Sequence, residues 1–240
     1  PGREREERFR PLRAAVCPGC EMVQLAAPRP PSDLFGDGYA YYASTSSHME
    51  AHFKVLAADI DAHYLLGAKD PFVVEIGSND GITLQHFRKF RHLGIDPSFN
   101  VAEKAREKGL SVVSAFFSKE FAKDVVEAHG QADVIIATNV LCHLPALPDV
   151  LDGIRLLLTP GGRLVAQDPS FHDVLAREAR VVRPRSHRPH DLGGDEHGVA
   201  GLARRHPYSE RGLGLAARVA RHPARVDVRR VDEVAGGLDV

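Results

Sequence analysis

The chain has 240 residues, with 31 Lys and Arg set against 32 Asp and Glu, and three cysteines. That length suits one large domain, or a medium domain with smaller attachments, and a core of this size needs no staples. The near-neutral balance argues against a general nucleic-acid binder. Three cysteines are too few for a disulfide framework, and no stretch approaches the roughly 18 apolar residues of a membrane span.

The opening stretch PGREREERF lacks the apolar core of a signal peptide, so a cytoplasmic location is expected. The chain begins at Pro1 rather than Met, which suggests an incomplete reading frame. All seven lysines lie between Lys54 and Lys123, and the last isoleucine is Ile154. From Ala176 onward there are 13 Arg and 9 Asp and Glu, with no Lys, Ile, Phe, Thr, Asn or Gln. That break divides the totals into an acidic body and a basic tail.

Residues 1–34 form a first segment. Cys17 and Cys20 have metal-ligand or redox spacing. The alternation Met22-Val23-Gln24-Leu25 suits a short strand leaving a Cys knuckle. Residues 35–70 hold a Gly-, Ser- and Tyr-rich loop over 35–47, then a helix from His48. Phe53, Leu56, Ile60 and Tyr64 fall on one face of that helix.

From 71 to 170 short apolar strands alternate with helices. The predicted strands are Phe72–Ile76, a run ending in Leu93-Gly94-Ile95, Ser111–Ser114, Asp133–Thr138 and Arg163–Ala166. The predicted helices cover 81–90, 98–109, 118–129 and the stripe Leu147, Val150, Leu151, Ile154, Leu157 and Leu158. Thr159-Pro160-Gly161-Gly162 is read as the stop after that stripe. The pattern implies an α/β fold, a mostly parallel sheet covered by helices on both faces. Such sheets bind ligands at the carboxyl ends of their strands. Residues 171–240 show no clean period, and only weak helices are expected near 199–205 and 213–221.

The first strand–turn–helix reads Glu75-Ile76-Gly77-Ser78-Asn79-Asp80-Gly81. Gly77 permits a sharp turn, Asn79 tolerates a left-handed backbone, and Gly81 allows close approach to a ligand. Asp80 is expected at the helix N-cap. A dinucleotide loop would seat pyrophosphate there, and the Asp80 charge would repel it. A cationic ligand such as S-adenosylmethionine fits better. Asp96 closes the second strand, 21 residues after Glu75, where a carboxylate can accept both ribose hydroxyls. Asn139 follows the fourth strand. Phe116 and Phe117 follow the third, where an adenine could stack or the rings could simply join the core.

Six stretches run in the order found in one known family: FRPLRAAVCPGCEMVQL, LFGDGYAYYASTSSHMEAHF, VVEIGSNDGITLQHF, HLGIDPSFNVAEKAREKG, ADVIIATNVLCHL and LLLTPGGRLVAQDPS. On these the chain resembles the class I S-adenosylmethionine-dependent methyltransferases. More narrowly, it resembles the nucleotide-sugar C-methyltransferases that act on C3 of a 4-keto-deoxysugar. The resemblance covers residues 9–170.

It implies a Rossmann-like core over 71–170 and a partial zinc-binding module over 1–34, with Cys17 and Cys20 as one of two ligand pairs. The missing pair would lie upstream of Pro1, consistent with an N-terminal truncation. It implies cofactor contacts at Gly77, Asn79, Asp96 and the Asn139 region. It also implies a dTDP-4-keto-deoxysugar type of substrate, as in deoxysugar and antibiotic biosynthesis. His143 in NVLCHL is then a base or enolate donor, and Tyr41, followed by Tyr39, is the active-site tyrosine. The family's Glu-His base pair has one counterpart, Glu196-His197, which lacks the aromatics that should follow. A chance match in a shifted frame beginning near residue 175 is the preferred reading of that tail. Two alternatives stay open: an O- or N-methyltransferase of another small molecule, and an inactive fragment that still binds S-adenosylmethionine.

Overall fold

The computed structural model describes residues 13–19 and 22–168, and the backbone of 225–228. Strands β1 (Ala14–Val16) and β2 (Val23–Leu25) form an antiparallel hairpin. The Cys17 amide donates to the Met22 carbonyl at 2.9 Å, closing the knuckle turn. The strand expected beside the knuckle is therefore paired, with a partner that three small apolar residues did not announce. A one-turn helix, α1 (Pro31–Leu34), follows, with Pro31 in its first turn.

Helix α2 (Ser47–Ile60) starts at an N-cap, where Ser46 Oγ accepts from the Met49 amide. It buries Phe53, Leu56, Ala57 and Ile60. A single π turn over Asp61–Leu65 adds a residue to the register. Leu65 is therefore the last buried residue of this face, and Tyr64, expected there, is only partly buried.

Strand β3 (Phe72–Ile76) follows, and from β4 on the described chain alternates strand and helix as predicted: β4 (Arg91–Ile95), α3 (Phe99–Glu107), β5 (Val112–Val113), α4 (Lys119–His129), β6 (Ala132–Thr138), α5 (Leu147–Leu157) and β7 (Leu158–Gln167). Backbone strand β8 (Arg225–Val228) pairs parallel with β7. It lies in the region where the sequence showed no period. The two weak helices expected near 199–205 and 213–221 fall outside the described residues. The sheet order is β5-β4-β3-β6-β7-β8, and every pairing in it is parallel.

Alternation along the strands fills two layers. Val74, Ile76, Ile135, Ala137 and Leu164 face α4 and α5, meeting Ala122, Val125, Val150, Ile154 and Leu157. Val73, Val134, Ile136 and Val165 face the other way, onto Phe53, Leu56 and Ile60 of α2. This is the two-sided burial that makes parallel strands read as continuous apolar runs.

Two predicted elements take a different form. The helix expected over 81–90 is a 3-10 turn over Leu84–Phe87. Gly81 is left-handed at φ +80°, so no helix starts there. The Gln85 side-chain amide also occupies the Ile82 carbonyl, and the His86 amide donates to Thr83 instead. The Thr159–Gly162 segment is an irregularity inside β7 rather than a stop before it. Ala132 pairs with Leu158 and Val134 with Arg163, so the extra β7 residues loop out between them. Among the described residues, no helix is long and apolar enough to cross a membrane.

Helix α5 offers a contrast that tests this layering. Ile154 is fully buried, whereas Leu156 is 37 % exposed. Ile154→Ala should lower the unfolding free energy by about 2–5 kcal/mol. Leu156→Ala should change it by less than about 1 kcal/mol. Urea denaturation of both variants measures this.

Candidate active site

The sheet reverses its winding between β3 and β6, which opens a crevice at their carboxyl ends. A cavity of about 340 Å³ sits there. One wall is the turn after β3, with Gly77 at φ +73° and Asn79 at φ +48°. A Cβ on Gly77 would overlap the Val140 side chain, so the turn needs glycine for space as well as for φ.

Asp96 follows β4 and organises this wall. Its Oδ2 accepts from the Asn79 amide at 2.8 Å, and its Oδ1 from the Ser98 amide at 2.9 Å. Burial raises its pKa, and these two backbone bonds pull it back. Each oxygen keeps a lone pair for a ligand hydroxyl.

Glu75 lies at the base of the same cavity, 1 % exposed. Burial pushes its pKa up to about 8, partly offset by the Thr83 hydroxyl and the Leu84 amide. Its Oε2 and the Ser78 Oγ are buried without a hydrogen-bond partner among the described residues. Both residues line the cavity. Unpaired polar atoms in a cavity wall call for a polar ligand or water.

The Tyr-rich loop roofs the cavity and is fastened to the β3 turn. The Asn79 side chain donates to the Tyr41 carbonyl at 3.1 Å and accepts from the Ala43 amide at 2.9 Å. Asn100, at the start of α3, donates to the Tyr39 carbonyl at 2.7 Å and the Tyr42 hydroxyl at 2.8 Å. Ser44 donates through its amide and hydroxyl to Asp80. Burial, reinforced by Asp96 and Tyr41, raises the Tyr39 phenol pKa and keeps it a neutral donor.

Across the cavity, Asn139 adopts φ +55° after β6, and a 3-10 turn over Leu141–His143 follows. Beside it, burial pushes the Cys142 thiol up to about 12, and the Asp168 carboxylate reinforces this. Cys142 is therefore an inert thiol rather than a nucleophile.

Of the residues singled out from sequence, Tyr39, Tyr41, Glu75, Gly77, Asn79, Asp96, Phe116, Asn139 and His143 all line this cavity, as does Phe117. Phe116 is 43 % exposed, whereas Phe117 is packed against the core below it.

Asp80 and Gly81 do not belong to the cavity lining. Asp80 is not an N-cap, because no α-helix begins there. Its carboxylate is buried and paired with Lys108 Nζ at 3.4 Å and with Ser44. The repulsion of phosphate assigned to it therefore has no direct line to the cavity. Gly81 instead lets the turn pack on Leu110 and Ala105 of the α3 region.

Glu196 and His197 lie outside the described residues, as does Cys20. Cys17 sits in the N-terminal hairpin, and among the described residues no group of three metal-ligating side chains occurs.

Sequence reasoning missed Phe35, Met49 and Phe53, which also line the cavity. Phe53 was placed on the buried face of α2 but not at the site. Phe35 stood in the motif LFGDGY with no periodicity to mark it.

Two predictions follow from the buried carboxylates. Asp96→Ala should weaken S-adenosylhomocysteine binding at least about tenfold. It should also cost about 1–3 kcal/mol of stability, because two turn amides lose their acceptor. Calorimetry and urea denaturation test these, and unchanged affinity removes Asp96 from the site. The Glu75 value lies above its ordinary 4.5 in the folded state. The folded protein therefore binds the extra proton, and stability falls as pH rises from about 4.5 to about 8. The stability advantage of Glu75→Gln over wild type should grow across that interval, and a pH-independent difference would contradict the assignment.

Known proteins similar to this chain include methyltransferases. A family model described as a methyltransferase domain matches residues 48–205. The chain is 31 % identical over 167 residues to the C-methyltransferase NovU of Streptomyces niveus, covering 69 % of this chain and 39 % of that one. It is 34 % identical over 96 residues to the methyltransferase calH of Penicillium decumbens, covering 39 % of this chain and 25 % of that one. The chain thus spans well under half the length of these relatives. Among solved structures, the plantazolicin methyltransferase BpumL in complex with SAH superposes with a TM-score of 0.47 at 16 % identity, covering 59 % of this chain and 57 % of that one.

Proposed function

The chain belongs to the methyltransferase-domain family, and from that premise we propose that it takes part in S-adenosylmethionine-dependent C-methylation of a nucleotide-linked 4-keto-deoxysugar at C3. The observation that carries this reading is one cavity lined by two unlike sets of residues. Asp96 and the Gly77–Asn79 turn form a nucleoside-type wall at the β3 and β4 ends. Tyr39, Tyr41 and His143 line the same space, the two tyrosines from the roof loop and His143 from the turn after β6. NovU, the C-methyltransferase relative, supports carbon as the acceptor.

S-adenosylmethionine supplies an electrophilic methyl group on its sulfonium. Asp96 would hold the ribose hydroxyls, Phe116 the adenine face, and the unpaired Glu75 Oε2 and Ser78 Oγ the polar end of the methionine portion.

On the acceptor side, the 4-keto group acidifies the C3–H bond, so a base near neutral pKa can take that proton. His143 stands at the cavity edge in position to act as base or as donor to the enolate oxygen. The Tyr39 hydroxyl supplies a second donor to that oxygen, and Tyr41 is the alternative. The enolate carbon would take the methyl group as its bond to the sulfonium breaks, with S-adenosylhomocysteine as the leaving group, and the C3 proton would stay on the base. The apolar residues Phe35, Met49 and Phe53 keep water out.

Incubation with S-adenosylmethionine and a dTDP-4-keto-6-deoxysugar should yield a product heavier by one methylene, with the new methyl on carbon by NMR. His143→Ala should reduce turnover by about 10²–10⁴-fold. A methyl found on oxygen or nitrogen would overturn C-methylation. S-adenosylhomocysteine binding without turnover of any keto-sugar nucleotide would make the chain a cofactor-binding piece of a larger protein.

A further inference from the structure

The Tyr-rich loop is fastened to the core by two chemistries on two sides of the cavity. On the β3 side the fastening is polar, through Asn79, Asp80 and Asn100. On the β6 side the contact is aromatic, and Phe35 makes it. Its ring centroid lies 5.6 Å from that of Tyr39, with the planes tilted by 52°. It lies 5.9 Å from the imidazole of His143, tilted by 56°. Both are favourable aromatic geometries.

Local structure dictates this placement. The Phe35 amide donates to the Pro31 carbonyl at 2.8 Å, which ends α1 and turns the chain. The Tyr39 amide donates to Gly36 at 3.1 Å, folding the next turn back so that both rings face the same cavity.

His143 itself is poorly constrained by its own element. It closes a single 3-10 turn and its side chain is exposed. An exposed imidazole on one turn has several rotamers open to it, and each wrong rotamer aims the ring nitrogens away from the cavity. We propose that Phe35 is a positioning residue: wedged between Tyr39 and His143, it selects the His143 rotamer that faces the cavity and fixes the separation of the two side chains across it. Phe35 transfers no proton and acts through the two rings it touches. This rests on the methyl-transfer reading for its consequence in rate, but the geometric claim stands independently of the substrate.

The test compares Phe35→Leu with Phe35→Tyr in the full chain. Three quantities are read: S-adenosylhomocysteine affinity by calorimetry, the His143 imidazole resonances by NMR, and kcat on the keto-sugar nucleotide. Affinity should be unchanged in both variants, which also shows that they fold. In Phe35→Leu the His143 ring protons should lose an aromatic ring-current shift. The kcat should fall at least about tenfold, while KM for S-adenosylmethionine stays as in wild type. Phe35→Tyr keeps the ring and should restore both the resonances and most of the rate. His143 resonances identical in wild type and Phe35→Leu would overturn the proposal, whatever the activity. So would wild-type kcat in Phe35→Leu. If wild type turns over no keto-sugar, the functional reading fails, and the His143 resonances alone decide the role of Phe35.

Discussion

The site depends on one hydrogen bond, between the Asn79 amide and the Asp96 carboxylate. It joins the turn after β3 to the end of β4 across the mouth of the sheet. The bond requires Asn79 to sit at φ +48°, a conformation that asparagine tolerates and bulkier residues resist. Once Asn79 is held there, its side chain reaches back to Tyr41 and Ala43. Asn79 thus shapes the cofactor wall with its backbone and holds the middle of the roof with its side chain, beside the fastenings through Asn100 and Asp80. The roof loop has little core of its own, since Ala43 is its one fully buried residue. Its order is borrowed from the turn.

This coupling sets the electrostatics as well. Two carboxylates, Glu75 and Asp96, are buried at the cavity, and burial raises the pKa of both. A third, Asp80, is neutralised from outside by Lys108. Asp96 accepts from two backbone amides, which oppose the effect of burial. Glu75 has only partial compensation and carries its proton near neutral pH. Burial is the largest influence on both acids, and hydrogen bonds oppose it in each: the Ser98 and Asn79 amides at Asp96, the Thr83 hydroxyl and Leu84 amide at Glu75.

Much of this was legible in the sequence, for identifiable reasons. The β-branched run at 133–138 and the apolar run at 72–76 could only be buried strands. Gly109 and Gly130 marked helix ends and do sit at positive φ. The spacing of Glu75 and Asp96 marked the ends of two adjacent strands, and both residues line the cavity. Less legible were features set by tertiary contact. The 3-10 turn after Gly81 depends on a side chain capturing a carbonyl. The π turn after Ile60 is invisible to a 3.6-residue period. Asp80 looked like a ligand-facing cap because its partner, Lys108, lies 28 residues away in sequence. Phe35 had no pattern to betray it, since its partners lie 4 and 108 residues on. The pairing of β8 with β7 joins segments some 60 residues apart, and neither announces the other.

The account stands or falls on whether cofactor wall and roof loop are one unit. Hydrogen exchange with and without S-adenosylhomocysteine, in wild type and in Asn79→Gly, measures this most directly. Glycine keeps the left-handed backbone at 79 and deletes only the side chain. In wild type the ligand should slow exchange over 39–46 together with 77–81. In Asn79→Gly the slowing should persist at 77–81 and weaken over 39–46, most at Ala43, which loses its acceptor. Protection of 39–46 that is the same in both proteins, or absent in wild type, would contradict the coupling.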